Sequence, residues 1–241
     1  ETSTGALWYA DNWQSMRYQE GPGEPCKYIT PQSPYASSVK EIRIKDSEPY
    51  IASGGVTENF KFTSNRDGFD IRRGSDWFNF NGLTVPEIDD NGMLNFVIAQ
   101  PHPTKDIVYA GAVPGGLLVI DFEQNITTVF NSDNSPLRGD NTSPGIERVT
   151  GMIFDENENL WISNYLSPTP LHVLTPEGEW YSYSFGSNIG LGALEFDDFG
   201  NIWIQLASQN GGILVFNYGA SIEDTSDDEY IKITTSTSNL P

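Results

Sequence analysis

The sequence predicts an all-β protein, a β-propeller of about five four-stranded blade units. Three observations predict this fold class. One phrase recurs along the chain, short strand-like runs separated by turn residues fill each repeat, and helical periodicity is absent. A repeat of about 40–50 residues that holds four short strands is typical of one propeller blade.

The recurring phrase is clearest at an aromatic position in the second strand of each unit. Trp161 in "LWISN" matches Trp203 in "IWIQL", and earlier copies have Trp8, Tyr50 and Tyr109 at this position. We name the four strands of a unit a to d in chain order. The first copy lacks strand a, so we expect four complete units and one incomplete unit. Their approximate bounds are 1–34, 39–82, 93–137, 147–186 and 190–241.

Strand b of each blade is expected to be covered on both faces, because blades pack face to face. Trp161 and Trp203 should then be equivalent and buried, and replacing either by Ala should cost about 3–5 kcal/mol. The acidic segments "DENEN" and "DDFGN" are expected to form turns between strands a and b. A calcium loop is a poor alternative for "DENEN", since Leu160 and Leu166 stand where an EF-hand needs Gly and Glu.

Three longer segments are expected to be loops of the repeat. Residues 54–68 form an insertion between strands b and c of the second unit, and 131–147 and 217–230 form long connections. No domain boundary is visible, so we interpret 1–241 as one propeller region, part of a larger propeller protein. The first unit has no strand a, so the chain alone is not expected to close a ring.

Charge and composition exclude several classes of protein. The net charge of −20 is opposite to what a nucleic-acid phosphate backbone requires. No apolar run approaches the length of a membrane span. Glu1 is not an initiator methionine, so we interpret the chain as a processed or excised piece. The one cysteine, Cys26, excludes an internal disulfide and is expected to be a buried, inert thiol.

The sequence predicts no catalytic residue, metal ligand or cofactor. The two histidines, His102 and His172, have no partner at zinc-ligand spacing.

Two kinds of candidate binding residue remain. Asn12 beside Trp13, and Asn164 beside Tyr165, follow strand b in two units and offer the apolar ring and amide that a sugar needs. Turn asparagines with ordinary rim packing are the commoner explanation of such pairs.

The second candidate is a basic cluster. Arg72 and Arg73, beside Arg66 and Lys61, are the one tight group of positive residues, and they would suit an anionic saccharide.

The repeats resemble a known family. "DDFGNIWI" (197–204) is similar to the D-x-x-G-x-[IL]-W-[IV] core of the two-component-regulator propeller repeat. Over essentially the whole chain, segments such as "VYAGAVPGGL", "FNSDNSPL" and "GEWYSYSF" resemble the N-terminal propeller region of the PorZ family, components of the type IX secretion system of Bacteroidota.

This resemblance implies a non-enzymatic interaction module at the outer face of the outer membrane. PorZ-like proteins act with a PorU-like sortase and with PorV-like and PorQ-like proteins, in a complex that attaches anionic lipopolysaccharide to secreted cargo. The resemblance therefore implies these partners, and presentation of lipopolysaccharide or another glycan. A glycan-sensing periplasmic propeller of a hybrid two-component sensor is the alternative. A propeller hydrolase or lyase is a third hypothesis, for which the sequence offers no strong acid-base residues.

Overall fold

The computed structural model describes residues 5–11, 15–29, 33–57, 61–186, 189–207 and 211–238. These residues form five antiparallel sheets, four with four strands and one with three. In every sheet the strands lie side by side in chain order, and each pairs antiparallel with the next. The structure thus confirms the predicted blades, including a first unit without strand a among the described residues.

The nineteen described strands are distributed over the five blades as follows. Blade 1 has β1 (Leu7–Asp11), β2 (Ser15–Gln19) and β3 (Lys27–Ile29). Blade 2 has β4 (Glu41–Lys45), β5 (Glu48–Ala52), β6 (Phe69–Arg73) and β7 (Asp76–Phe80). Blade 3 has β8 (Ile98–Pro101), β9 (Ile107–Ala112), β10 (Gly116–Asp121) and β11 (Ile126–Phe130). Blade 4 has β12 (Val149–Phe154), β13 (Leu160–Asn164), β14 (Leu171–Leu174) and β15 (Trp180–Tyr183). Blade 5 has β16 (Leu191–Phe196), β17 (Ile202–Leu206), β18 (Gly212–Asn217) and β19 (Glu229–Thr234).

Among the described residues, the core consists of three apolar layers, each between two neighbouring blades. Phe69 and Phe96 lie between blades 2 and 3, Leu117 and Met152 between blades 3 and 4, and Trp161 between blades 4 and 5. All five side chains are fully buried. Burial of apolar area between sheets is therefore what holds consecutive blades together.

The innermost strands approach one another closely where blades 4 and 5 meet. A Cβ at Gly151 of β12 would collide with the backbone carbonyl of Gly192 in β16. The neighbouring Thr150 donates its hydroxyl to the carbonyl of Leu191, at 2.6 Å. Glycine at this position permits the backbone contact that sets the spacing of the two blades.

An aspartate closes the turn between strands a and b and also binds the tryptophan of strand b. Asp155 Oδ1 accepts the backbone N–H groups of Asn157 and Asn159, both at 2.9 Å. Its Oδ2 accepts the indole N–H of Trp161 at 3.0 Å. The turn interpretation of "DENEN" is therefore confirmed, since this carboxylate is committed within its own turn.

Trp161 and Trp203 are equivalent, but only Trp161 is buried. Trp203 donates to Asp197 Oδ2 at 2.9 Å, as Trp161 does to Asp155. Trp161 is fully covered by aromatic rings of blade 5, whereas 40% of Trp203 is exposed. The prediction that Trp203 is buried was wrong, because no aromatic ring of the described residues lies against its indole as the rings of blade 5 lie against Trp161.

Two smaller expectations were also wrong. A one-turn helix, α1 (Pro86–Asp90), connects blades 2 and 3 and buries Ile88; proline near its start suits a helical first turn. Cys26 is an exposed free thiol that precedes β3. In the described part of the chain, no helix has the length and apolar character needed to cross a membrane.

We expect Trp161→Ala to lower the free energy of unfolding by about 3–5 kcal/mol, as for other large aromatic side chains in a core. Trp203→Ala should cost clearly less, because much of the indole already contacts solvent. Urea unfolding followed by circular dichroism measures both. Equal losses for the two variants would contradict the difference in packing.

We further expect the carboxyl of Asp197 to titrate at unusually low pH. Hydrogen bonds from the side chains of Asn201 and Trp203 lower its pKa from 3.8 to about 2. Because the folded-state pKa is depressed, the stabilisation is present above the ordinary pKa and is lost as pH falls towards 2. The indole N–H resonance of Trp203 should therefore shift with a midpoint near pH 2, and a midpoint near 4 would exclude the bond in solution.

Candidate functional site

A central cavity of about 300 Å³ lies where the inner ends of four blades meet. Blade 2 and its insertion, blade 3, blade 4 and blade 5 all contribute to its wall. The lining residues include Lys40, Glu41, Thr57, Phe62, Tyr165 and Gln205. Apolar rings with a few converging polar groups are typical of a small-molecule site.

The blade 2 insertion covers one side of this cavity, and a buried asparagine holds it there. Asn95 accepts the backbone N–H of Gly55 at 2.7 Å and the hydroxyl of Thr63 at 2.6 Å, and it donates to the carbonyl of Gly55 at 3.1 Å. Asn95 is fully buried and has a φ of 50°, which asparagine adopts more readily than most residues. The Asn95 side chain therefore ties both arms of the insertion together, alongside the backbone bond from Gly54 N–H to the Phe96 carbonyl at 2.7 Å.

Tyr165 is the predicted site residue that lines the cavity. Its ring meets Phe62 edge to face, with ring centroids 5.1 Å apart. A Cβ at Gly190 would collide with the Tyr165 ring, so glycine makes room for it. Burial raises the pKa of the Tyr165 hydroxyl, which keeps it a neutral donor at physiological pH.

Asn164, in contrast, has a structural position. It is fully buried, its Oδ1 accepts the backbone N–H of Arg138 at 2.9 Å, and its amide donates to the carbonyl of Arg148 at 3.3 Å. This arrangement matches the turn explanation rather than ligand contact. Asn12 and Trp13 lie outside the described residues, so their pairing with a sugar stays a prediction.

The predicted basic cluster is not formed. Arg72 and Arg73 are adjacent on β6, so they point to opposite faces of the blade. Arg73 makes a two-point ion pair with Asp106, at 2.6 and 3.1 Å, and its guanidinium lies 4.4 Å from the centroid of the Phe122 ring. Arg66 lies in the insertion at the other end of β6, 3.8 Å from Asp89. These charges are dispersed and partly neutralised.

An ion pair spans the first and last complete blades. Arg43 of β4 lies 3.3 Å from Glu195 of β16 and 2.7 Å from Glu41 of its own strand. The four blades therefore curve until their outermost members meet through side chains. With Lys40 also present, the cavity contains both signs of charge, which suits a neutral polar ligand better than an anion.

A cavity of about 630 Å³ lies between the a–b turns of blades 4 and 5. Acidic groups dominate its lining, among them Glu156, Glu195 and Asp198. Two further carboxylates there, Asp155 and Asp197, already accept hydrogen bonds within their own turns. The described residues contain no group of three or more acidic, histidine or cysteine side chains placed to hold a metal ion.

Sequence reasoning missed Phe62, Gln205 and Asn95. The length of the insertion was the available signal for Phe62, since an insertion at the inner end of a blade can reach the axis. Gln205 follows Trp203 by two residues in β17, but its position depends on which face of strand b meets the axis.

The fold is similar to that of PorZ from Porphyromonas gingivalis, described as an essential bacterial surface component of the type IX secretion system. The TM-score is 0.73 at 20% identity, over 96% of this chain and 32% of the PorZ chain. This chain thus spans about a third of the length of PorZ. The propeller resemblance stated from sequence is confirmed at the level of the fold.

Other solved propellers are also similar. The extracellular domain of a hybrid two-component system from B. thetaiotaomicron matches with TM-score 0.58 and 12% identity, over 91% of this chain and 26% of that one. Virginiamycin B lyase from Staphylococcus aureus matches with TM-score 0.56 and 13% identity, over 98% of this chain and 69% of the lyase chain. No protein-family model and no curated protein matches the chain. The property that these proteins share with this chain is the fold, which occurs in a secretion-system component, a two-component-system domain and a lyase.

We expect Arg73→Met to destabilise the chain more than Arg72→Met, because of the two only Arg73 has a carboxylate partner and an aromatic ring among the described residues. The loss should be about 1 kcal/mol for a partly exposed pair of this kind. Urea unfolding at low and high salt separates the two contributions, since salt weakens the ion pair but not the ring contact. Equal effects of the two variants would show that the Asp106 pair does not form in solution.

Proposed function

We propose that this chain is the propeller portion of a PorZ-like surface component, and that it acts by binding partners rather than by catalysis. The similarity of fold to PorZ over nearly the whole chain is the observation that carries the proposal. We place the protein at the cell surface, associated with the outer membrane, with PorU-like, PorV-like and PorQ-like proteins as its partners. The periplasm is the alternative location.

A surface of blade 5 supports a role in protein association. We call it the open face; its residues lie on one side of strands b to d and are Trp203, Gln205, Ile213, Val215, Ile231 and Ile233. Ile231 is 61% exposed and Trp203 40% exposed. The equivalent side of blade 4 is buried by the next blade, so the open face has the shape and chemistry that accept another β-sheet.

Presentation of lipopolysaccharide is the finer part of the proposal. The net charge of −20 opposes an anionic saccharide, because each close like-charge pair costs about 1 kcal/mol in water and more where water is excluded. The dispersed arginines offer no compensating patch. We therefore propose that any contact of this portion with lipopolysaccharide uses neutral sugar units or bridging divalent cations.

Glycan sensing in the periplasm is the second candidate function. The central cavity favours it, because Phe62 and Tyr165 supply apolar rings beside the polar groups of Gln205 and Thr57. The sensor function requires a small glycan to bind there in the absence of any protein partner.

Protein binding and its response to Trp203→Glu distinguish the surface-component function from the glycan-sensor function. We expect the purified chain to bind at least one purified PorU-like, PorV-like or PorQ-like protein in biolayer interferometry. Trp203→Glu should weaken that binding about tenfold or more, since a buried aromatic commonly dominates an interface.

Phe199→Glu is the matched control, because Phe199 is 87% exposed on the neighbouring a–b turn and off the open face. It should leave binding unchanged. Failure to bind all three proteins would contradict the surface-component proposal. Glycan binding that Tyr165→Ala abolishes, without any protein binding, would establish the sensor function instead.

A further inference from the structure

A third cavity, of about 260 Å³, lies between blades 3 and 4, away from the central one. It lies beside the aromatic position of strand b in blade 3, which corresponds to Trp161 in blade 4. Blade 3 has Tyr109 there, which meets Phe154 of blade 4 edge to face with ring centroids 5.4 Å apart. Tyrosine is smaller than tryptophan, and the difference leaves space between the two blades.

His102 of blade 3 stands in the place of the turn aspartate. Its backbone N–H donates to the carbonyl of Ile107, as that of Asp155 does to Asn159 in blade 4. Its ring Nδ1 accepts the backbone N–H groups of Thr104 and Lys105, both at 3.2 Å. In blade 4, Oδ1 of Asp155 accepts two backbone N–H groups of its turn in the same way. The histidine therefore closes the same kind of turn with a different acceptor.

His102 Nε2 takes the place of the aspartate Oδ2, but it donates a hydrogen bond where that oxygen accepts one. Because Nδ1 accepts two bonds, the neutral imidazole carries its proton on Nε2. Burial lowers the pKa of His102, which favours this neutral form. Where Asp155 offers Oδ2 to an indole, His102 thus presents an N–H donor.

This donor faces the cavity without a protein acceptor among the described residues. The His102 side chain is 3% exposed, and its Nε2 lies 3.9 Å from Glu158 Oε2, beyond hydrogen-bond distance. Glu158 uses its Oε1 to accept the hydroxyl of Thr104 at 2.6 Å, so Oε2 remains available. The hydroxyl of Tyr109, on the same wall, has no partner in the described part of the chain either. A donor on the cavity wall and a nearby acceptor, 3.9 Å apart, are thus placed for a third group to join.

The chemistry of the wall indicates the ligand class. A hydroxyl placed between Nε2 and Oε2 accepts from the histidine and donates to the glutamate. Phe154, Leu160 and Leu174 supply apolar surface against the flat side of a ring. Lys105 and Asp121 bring opposite charges to the rim, which suits a neutral molecule. The volume is just below that of sites for drug-sized ligands and admits one ring.

We propose that the cavity between blades 3 and 4 binds one neutral sugar ring, with a ring hydroxyl joining His102 Nε2 to Glu158 Oε2. This site does not depend on the surface-component role, because neither the open face nor the central cavity contributes to it.

Methyl glycosides of glucose, galactose, mannose and N-acetylglucosamine are suitable probes, with methyl glucuronide as the anionic counterpart. Titration is followed by amide chemical shifts of the full chain. We expect at least one neutral glycoside to shift the amides of Thr104, Lys105 and Leu174 with saturation at millimolar concentration. The glucuronide should bind more weakly, because Glu158 and Asp121 face it.

Two variants that restore the residues of other blades test the assignment. His102→Asp retains an acceptor for the turn but removes the donor, and Tyr109→Trp fills the cavity. Each should lower affinity about tenfold or more, as expected for loss of one buried hydrogen bond or of the space itself. Both should melt within a few degrees of the parent or above it, because Asp155 and Trp161 occupy these positions in blade 4.

Tyr165→Ala, in the central cavity, is the control and should leave these shifts unchanged. Absence of saturable shifts with every neutral glycoside overturns the proposal. So does binding that survives both His102→Asp and Tyr109→Trp, or shifts that vanish in Tyr165→Ala and persist in the other two.

Discussion

The aromatic residue of strand b, packed against the next blade, is the contact on which the rest of the structure depends. In blade 4 the Trp161 indole donates to Asp155, and a buried indole N–H needs such a partner. The same carboxylate closes the a–b turn, so one side chain fixes both the hairpin and the ring that covers it. Covering by blade 5 then removes the indole from water and joins the two sheets.

Blades 3 to 5 each have a residue that closes the a–b turn and an aromatic residue in strand b. These two residues and their packing differ from blade to blade, and the differences produce the candidate binding surfaces. Between blades 4 and 5 the aromatic position is filled and buried. Between blades 3 and 4 the two residues are His102 and Tyr109, which leaves a cavity and an imidazole N–H that no described residue accepts. On blade 5 the pair is intact, but Trp203 remains partly exposed on the open face. A repeat that is structural in one blade thus becomes available for binding in another.

The blades could be predicted because each repeat unit encodes its own turn residues and strand pattern. The exposure of Trp203 could not be predicted, because it depends on what packs against blade 5 and not on the sequence of that repeat unit. The placement of Arg72 and Arg73 on opposite faces of the blade could have been predicted, because the side chains of adjacent strand residues point in alternate directions. His102 was missed because the repeats were aligned on aromatics, although "QPHP" ends strand a where the other units have aspartate. The central cavity combines residues from four blades, and such proximity is set by blade packing.

Hydrogen exchange of the two equivalent indole N–H groups tests the central claim most directly. Both indoles donate to an aspartate at nearly the same distance, so the hydrogen bond alone predicts similar protection. If covering by the next blade is decisive, the Trp161 N–H exchanges only through global unfolding, and the Trp203 N–H exchanges faster by orders of magnitude. Equal exchange rates for the two indoles in the folded chain would contradict the account.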